Sequence, residues 1–424
     1  MEKHRFIFLL LSFINLVLLI IRFRIVKRKK LPMLDPILIY HGMWVLSFFI
    51  KFLNLVRFNY TLSNSLPLLI FYWCSLALGL WLGNYIFRFK QVDLPKTYID
   101  NRRIRYGFMS LILLIDFCGI LLLVSIFRKG YPISALFSSR SFFNAAAIYK
   151  EITIMYILLA FLLVIYIDLL RFVSNVTEFL FLTFLVCFTP ILIAAITAGR
   201  SVILFTIIIP LIGYFNSRRI TSFSQKQIKV IILFLFVFLA VFIVFDMLRS
   251  GERVTLPNEK HFLDLIAYIQ CPLDGFEFFN QDFWQPVKGY PFYYTFNFIF
   301  NQLEKIGINY GPVIDVFSLQ SSLVKYDPVL VYSVGTMFMN FQNDFDKAGV
   351  FFVFLFGILT MYLYKRNYSE YNLFILIFTT LAEVQLLWSA QMYYMFGSSL
   401  FMFCLIWAVI ISLLKRTKPR WGMQ

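Results

Sequence analysis

Residues 66–87 read LPLLIFYWCSLALGLWLGNYIF, an apolar run without a single Asp, Glu, Lys or Arg. A helix of about 20 mostly apolar residues is long enough to cross the hydrocarbon core of a bilayer. A soluble fold would have to cover all of this surface, whereas lipid accepts it directly. The run therefore predicts a transmembrane helix.

Runs of the same kind recur along the chain. Hydrophobic residues make up 60% of the 424 residues and charged residues 14%, whereas a soluble domain is nearer half apolar and a quarter charged. We therefore predict an all-α polytopic membrane protein with about eleven transmembrane helices. They lie near residues 6–25, 36–53, 66–87, 106–127, 152–170, 178–198, 201–215, 229–248, 348–364, 371–388 and 396–414.

The distribution of basic residues predicts the orientation. The net charge is +17, and in membrane proteins Lys and Arg collect in short cytoplasmic loops. Most basic loops lie on one side of the membrane if the cytoplasmic segments are 22–35, 88–105, 216–229 and the C-terminal tail. This explains the charge without a nucleic-acid partner. It also puts the N-terminus, with Lys3 and Arg5, outside, unless one helix is miscounted.

One long polar stretch, 249–347, falls on the outer side. It divides the chain into an N-terminal bundle of about eight helices (1–248), this large outer loop, and about three C-terminal helices with a basic tail (348–424). A loop of this length is usually functional. Its many aromatic residues favour short amphipathic helices at the outer interface. A cap that only stabilises the bundle is the alternative.

Three arginines are candidates for binding phosphate at the outer mouth of the bundle. Arg200 lies between two apolar runs, and Arg249 and Arg253 follow the eighth predicted helix. The planar guanidinium matches phosphate oxygens in geometry and charge. The three therefore predict a shared site for a lipid diphosphate, with Arg200 and Arg249 in catalysis and Arg253 in binding. The alternative is that each arginine anchors a headgroup singly.

The outer loop also supplies carboxylates, any of which can deprotonate a sugar hydroxyl if its geometry suits. We predict Asp274 as the catalytic carboxylate, and Tyr268, Tyr293 and Asp344 as substrate-binding residues. Neither a metal nor a cofactor is predicted, because the five cysteines and three histidines form no metal-binding pattern. The residues alone leave the base open among Asp264, Asp274, Glu277, Asp282, Asp315, Asp327, Asp344 and Asp346.

Four short segments carry a resemblance to a known family: Asp35-Pro36 with Trp44, Gly199-Arg200-Ser201, Tyr268 to Asp274, and Val334-Gly335-Thr336 with Asp344-Phe345 and Gly349. They resemble segments of the O-antigen polymerase family, the bacterial polymerases of oligosaccharide repeat units. Ser333 and Gly335 replace the usual Asn and Tyr. Asp346 stands where glycine is common.

The resemblance implies a GT-C-like helical fold and a metal-free glycosyltransferase of the bacterial inner membrane, with its large loop on the outer face. Such enzymes polymerise undecaprenyl-diphosphate-linked repeat units into O-antigen or capsule-type polysaccharide. The implied partners are the lipid-linked donor and acceptor glycans, the bilayer and a chain-length regulator. A flippase or other transporter of the lipid-linked glycan, and an O-antigen ligase, are the alternatives.

Overall fold

The computed structural model describes residues 2–55, 64–88, 102–128, 149–170, 200–221, 272–277, 291–296, 336–370, 372–390 and 398–417, with single positions between 186 and 308. Within these ranges the elements are helical and no strand occurs, which confirms the all-α prediction. The helices are α1 (Glu2–Arg28), α2 (Pro36–Leu53), α3 (Leu66–Ile86), α4 (Arg102–Arg128), α5 (Tyr149–Leu169), α6 (Arg200–Arg218), α7 (Phe338–Phe345), α8 (Gly349–Ser369), α9 (Leu373–Leu387) and α10 (Ser399–Thr417).

Four stretches of the described chain are long and apolar enough to cross a membrane: Arg5–Arg28, Pro36–Leu53, Leu66–Ile86 and Phe338–Ser369. Shorter apolar helices accompany them, and large apolar side chains such as Phe6, Phe71 and Phe351 are exposed along the long ones. Exposed apolar side chains in such numbers need lipid around them. The chain is therefore a helical membrane protein. The predicted spans 178–198 and 229–248 lie almost entirely outside the described residues.

The chain forms two compact units. The first contains residues 1–91, 262–369 and 381–402, and the second contains 92–261, 370–380 and 403–424. In the second unit, α5 packs against α10 through Phe161 and Trp407, whose ring centroids lie 4.6 Å apart. Trp407 Nε1 also donates to Ile157 O at 3.2 Å.

In the first unit, α1 and α2 form an antiparallel hairpin. Ser12 Oγ donates to Val45 O at 3.0 Å, and Asn15 Oδ1 lies 2.8 Å from His41 Nδ1. Trp81 Nε1 donates to the other ring nitrogen of His41 at 3.2 Å. Because an indole N–H only donates, His41 carries its proton on Nδ1 and gives it to Asn15. The buried histidine is thus a neutral, fully bonded link between helices.

In the same unit α3 and α8 run parallel and touch backbone to backbone. Ser75 Oγ, in the middle of α3, donates to Val350 O at 2.6 Å near the start of α8. Further along, a Cβ atom added at Gly357 would lie 2.8 Å from Leu76 O. Glycine is required here because any side chain would push the two helices apart.

The far ends of these helices build a basic end of the first unit. Arg22 pairs with Asp35, with Nε to Oδ1 at 3.0 Å and Nη2 to Oδ2 at 2.6 Å, and reaches Asn84 Oδ1 at 3.2 Å. Lys365 donates to the carbonyls of Asn84 and Phe87, which close the last turn of α3. A cation is stabilised by the carbonyl end of a helix. The basic residues after α1 and those ending α8 therefore lie at one end of the unit.

Candidate functional site

The opposite end of the first unit holds a buried ion pair. Lys51, in the last turn of α2, donates to Asp274 Oδ1, and the two side chains are only 3% and 0% exposed. Gln270 Nε2 lies 3.5 Å from the other oxygen of Asp274 and 3.3 Å from Asn54 Oδ1, just beyond α2. Residues of the predicted outer loop are thus fastened to the end of α2 by a charge pair excluded from water.

Glu277 fastens the same segment to α3. Its oxygens accept hydrogen bonds from the backbone N–H groups of Asn64 at 3.1 Å and Ser65 at 2.7 Å. The helix-capping side chain at Ser65 makes no such bond itself. A carboxylate at a helix N-terminus satisfies unpaired donors and complements the helix dipole. Glu277 therefore caps α3 although it lies more than two hundred positions further along the chain.

Asp344 holds a turn formed by residues 291–296. Its oxygens accept from the backbone N–H groups of Tyr294 at 2.6 Å and Thr295 at 2.7 Å, and from the Thr295 hydroxyl. Asn340 Nδ2 donates to Tyr294 O at 3.1 Å. Burial, and then the charges of Tyr293 and Asp344, raise the pKa of the Tyr294 phenol. That phenol is therefore protonated at neutral pH.

The helix carrying Asp344, α7, reaches deep into the unit. Phe338 stacks between Trp44, at 5.6 Å and 12°, and Tyr72, at 5.5 Å and 17°. Trp44 lies about 12 Å along α2 from its first residue, since each helical residue rises about 1.5 Å. Helical packing in this region therefore begins at Phe338 and not at the start of the predicted span at 348. The chain thus reaches the level of the middle of α2 at Phe338, before α8 starts at Gly349.

Asp346, between α7 and α8, has a backbone conformation that is rare for a residue with a side chain. Its φ is 50° and its ψ is −134°. Tyr72 Oη donates to Asp346 O at 2.8 Å, and a Cβ atom added at the following Gly349 would collide with Phe341 O. The side chain is exposed, and no described residue donates a hydrogen bond to its carboxylate.

The carboxylates of Asp344 and Asp346 therefore do different things, although the sequence spaces them like a metal-binding pair. Both oxygens of Asp344 accept protein N–H or O–H groups, whereas Asp346 is an exposed residue. Among the described residues, no group of three or more His, Cys, Asp or Glu is arranged to hold a metal ion.

The structure brings three of the predicted site residues into the first unit: Asp274, Tyr293 and Asp344. Tyr293 is buried, with its ring stacked on Phe300 at 6.2 Å. Arg200 is the first residue of α6 in the second unit. The predicted roles of these four residues stay predictions. Arg249, Arg253 and Tyr268 lie outside the described residues.

Sequence reasoning missed Lys51 as a partner of the outer segment. It stands at the end of an apolar helix, where a lone lysine is usually explained as reaching for the headgroups. Its only distinguishing signal is the acidic residue that pairs with it, 223 positions further on. Glu277 was one of several carboxylates that the sequence offered equally as a base, and no neighbouring residue marks it as a helix cap.

No protein-family model matches this sequence, and neither does any curated protein or solved structure.

Proposed function

We propose that the protein polymerises undecaprenyl-diphosphate-linked oligosaccharide repeat units at the outer face of a bacterial inner membrane. In this proposal it is a GT-C-like bundle of about eleven spanning helices. The observation that carries the proposal is the position of Arg200 as the first residue of α6. The chain therefore carries an arginine at the N-terminal position of this helix.

Both the arginine and the helix N-terminus favour an anion. The first N–H groups of a helix have no partner within it, and the helix dipole adds partial positive charge there. An arginine adds a full charge and a bidentate fork for phosphate oxygens. Together they suit a lipid diphosphate that leaves as the new glycosidic bond forms, because charge grows on its oxygens in the transition state.

The two ends of the first unit support the proposed orientation. Arg22, Lys365 and the basic residues near them lie at one end, as expected for the cytoplasmic side. Asp274 and Glu277 of the long polar segment are fastened at the other end, on α2 and α3. An acidic segment that docks at the end opposite the basic residues is expected of an outer-face cap over a membrane enzyme.

The test is the glycan profile of a deletion strain complemented with wild type, Arg200→Ala or Arg218→Ala. Arg218 ends the same helix and serves as the matched control. At equal expression, we expect Arg200→Ala to give single repeat units on the lipid A core without a ladder, because losing one such donor lowers a rate by about 10²–10³. Arg218→Ala should keep the ladder.

A deletion strain in which no repeat unit reaches the outer face would contradict the polymerase proposal and identify an export function. A normal ladder with Arg200→Ala would exclude Arg200 from the site.

A further inference from the structure

We propose that the basic end of the first unit binds the headgroups of anionic phospholipids. This inference does not depend on the proposed glycosyl transfer. The described part of the unit has seven exposed basic side chains at this end: Arg24, Lys27, Arg28, Lys29, Lys30, Arg88 and Arg366. They come from three parts of the chain, which are the end of α1, the residues just beyond α3 and the last turn of α8.

Contacts between these three parts bring the cations together. Tyr364 Oη of α8 donates to Pro32 O, between α1 and α2, at 3.5 Å. Lys29, just beyond α1, lies close enough to Lys365 of α8 for the two positive charges to repel each other. Lys365 in turn donates to the carbonyls that end α3. The exposed cations therefore belong to one surface of the unit.

Arg366 is held in place on this surface by aromatic side chains. Its Nη1 donates to Tyr362 Oη at 2.6 Å, and its guanidinium carbon lies 5.6 Å from the centre of the same ring. Phe87 meets that ring edge to face at 5.1 Å, and Arg88 is the next residue. A guanidinium that is already positioned loses little freedom on binding, and its planar fork matches phosphate oxygens.

The described surface has a large excess of positive charge. Asp35 has no exposed surface, and both of its oxygens are bonded to Arg22. Glu370, four residues after Arg366, is the acidic residue closest to that arginine along the chain. Even with this glutamate included, seven exposed positive charges exceed one negative charge. The surface is therefore complementary to an anion.

The neighbouring apolar side chains show that this anion belongs to a lipid. Tyr85, in the last turn of α3, is 87% exposed, and Phe23, beside Arg24, is 44% exposed. Tyrosine is enriched at the level of the lipid headgroups, and apolar side chains exposed beside it need lipid around them. The anions present at that level are headgroup phosphates. Basic clusters next to the end of a spanning helix attract anionic lipids.

The experiment is native mass spectrometry of the purified protein in detergent, titrated with phosphatidylglycerol or phosphatidylcholine of equal chain length. We expect wild type to bind phosphatidylglycerol more tightly. Arg366→Gln should weaken that binding about fivefold, the effect of one basic residue at an anionic membrane surface, without changing the binding of phosphatidylcholine. Lys347→Gln removes an exposed charge before the start of α8, at the other end of that helix. This matched control should bind both lipids as wild type does.

A second variant tests whether the position of the guanidinium matters. Tyr362→Phe keeps the ring but removes the hydroxyl that holds Arg366, so its affinity for phosphatidylglycerol should lie between those of wild type and Arg366→Gln. Melting temperatures equal to that of wild type show that the variants are folded.

Two results would overturn the proposal directly: equal binding of both lipids by wild type, or a full preference for phosphatidylglycerol in Arg366→Gln. A third result concerns the source of the phosphate. If inorganic phosphate abolishes the preference and sodium chloride of equal ionic strength does not, the surface binds free phosphate and the assignment to a lipid is wrong.

Discussion

Breaking the buried pair between Lys51 and Asp274 tests whether the predicted catalytic aspartate has an architectural role. Lys51→Met leaves the carboxylate of Asp274 in a site where its side chain has no exposed surface. Gln270 Nε2 lies at a long 3.5 Å from the other carboxylate oxygen. The loss of the ammonium group therefore removes the charge that Lys51 places against this buried carboxylate.

The expected cost is large. Removing one partner of a buried ion pair destabilises a protein by about 3–5 kcal/mol, whereas replacing both partners by apolar residues is often neutral or stabilising. The total stability of a domain is only about 5–15 kcal/mol. We therefore expect Lys51→Met to release the 270–277 segment from α2, and Lys51→Met/Asp274→Leu to restore its attachment.

Hydrogen exchange of the purified protein in nanodiscs measures the release directly. Peptides covering 270–277 should exchange faster in Lys51→Met, while those from the middle of α8 keep the wild-type rate. Lys29→Met, at an exposed lysine, is the matched control and should change nothing. Unaltered exchange at 270–277 in Lys51→Met would refute the architectural role of the pair.

Transfer activity of the same variants separates the two roles of Asp274. If its carboxylate performs chemistry, the apolar double variant stays inactive even when the segment is attached. If the carboxylate only positions the segment, the double variant regains most of the activity that Lys51→Met loses. Recovery would thus contradict the sequence-based prediction that Asp274 is catalytic.

Three further predictions follow from the packing of the first unit. Gly357→Leu should abolish accumulation of folded protein, because the added Cβ would meet Leu76 O in the α3–α8 contact. Gly107→Leu is the control, since nothing lies within 4 Å of its added Cβ. On an immunoblot this control should accumulate normally. Glu277→Gln should lower the stability by about 0.5–2 kcal/mol, the usual worth of a helix cap, and a wild-type melting curve would contradict that role. In cysteine labelling of intact cells with an impermeant maleimide, Asn64→Cys should react from outside and Lys29→Cys only after lysis; reaction of both from one side would contradict the orientation.

The helices could be predicted from sequence because hydropathy is a local property. Residues 66–87 are apolar enough to be a spanning helix whatever surrounds them, and the structure has α3 at Leu66–Ile86. The same reasoning placed a helix start next to Arg200. The predicted span 201–215 contains Pro210, and α6 continues through this proline to Arg218.

The orientation of the helices in the membrane stays a prediction, made from the distribution of basic residues. Counting basic loops grouped 22–35 with 88–105, the residues that follow α3. In the structure, Arg22 and Lys365 both bond to Asn84 at one end of the unit. The count groups these residues because a charged side chain is costly in lipid wherever the chain later folds.

The roles of the carboxylates could not be predicted from the sequence, because each role depends on a partner far along the chain. Asp274, Glu277 and Asp344 look alike in the polar segment, and all are plausible bases by composition. Only the tertiary structure brings Lys51, the start of α3 and the 291–296 turn against them. The sequence by itself determined a helical membrane protein with one long polar segment, since solvent preference acts on each residue separately. Which acid is buried and which is exposed was decided by contacts that exist only once the helices have packed.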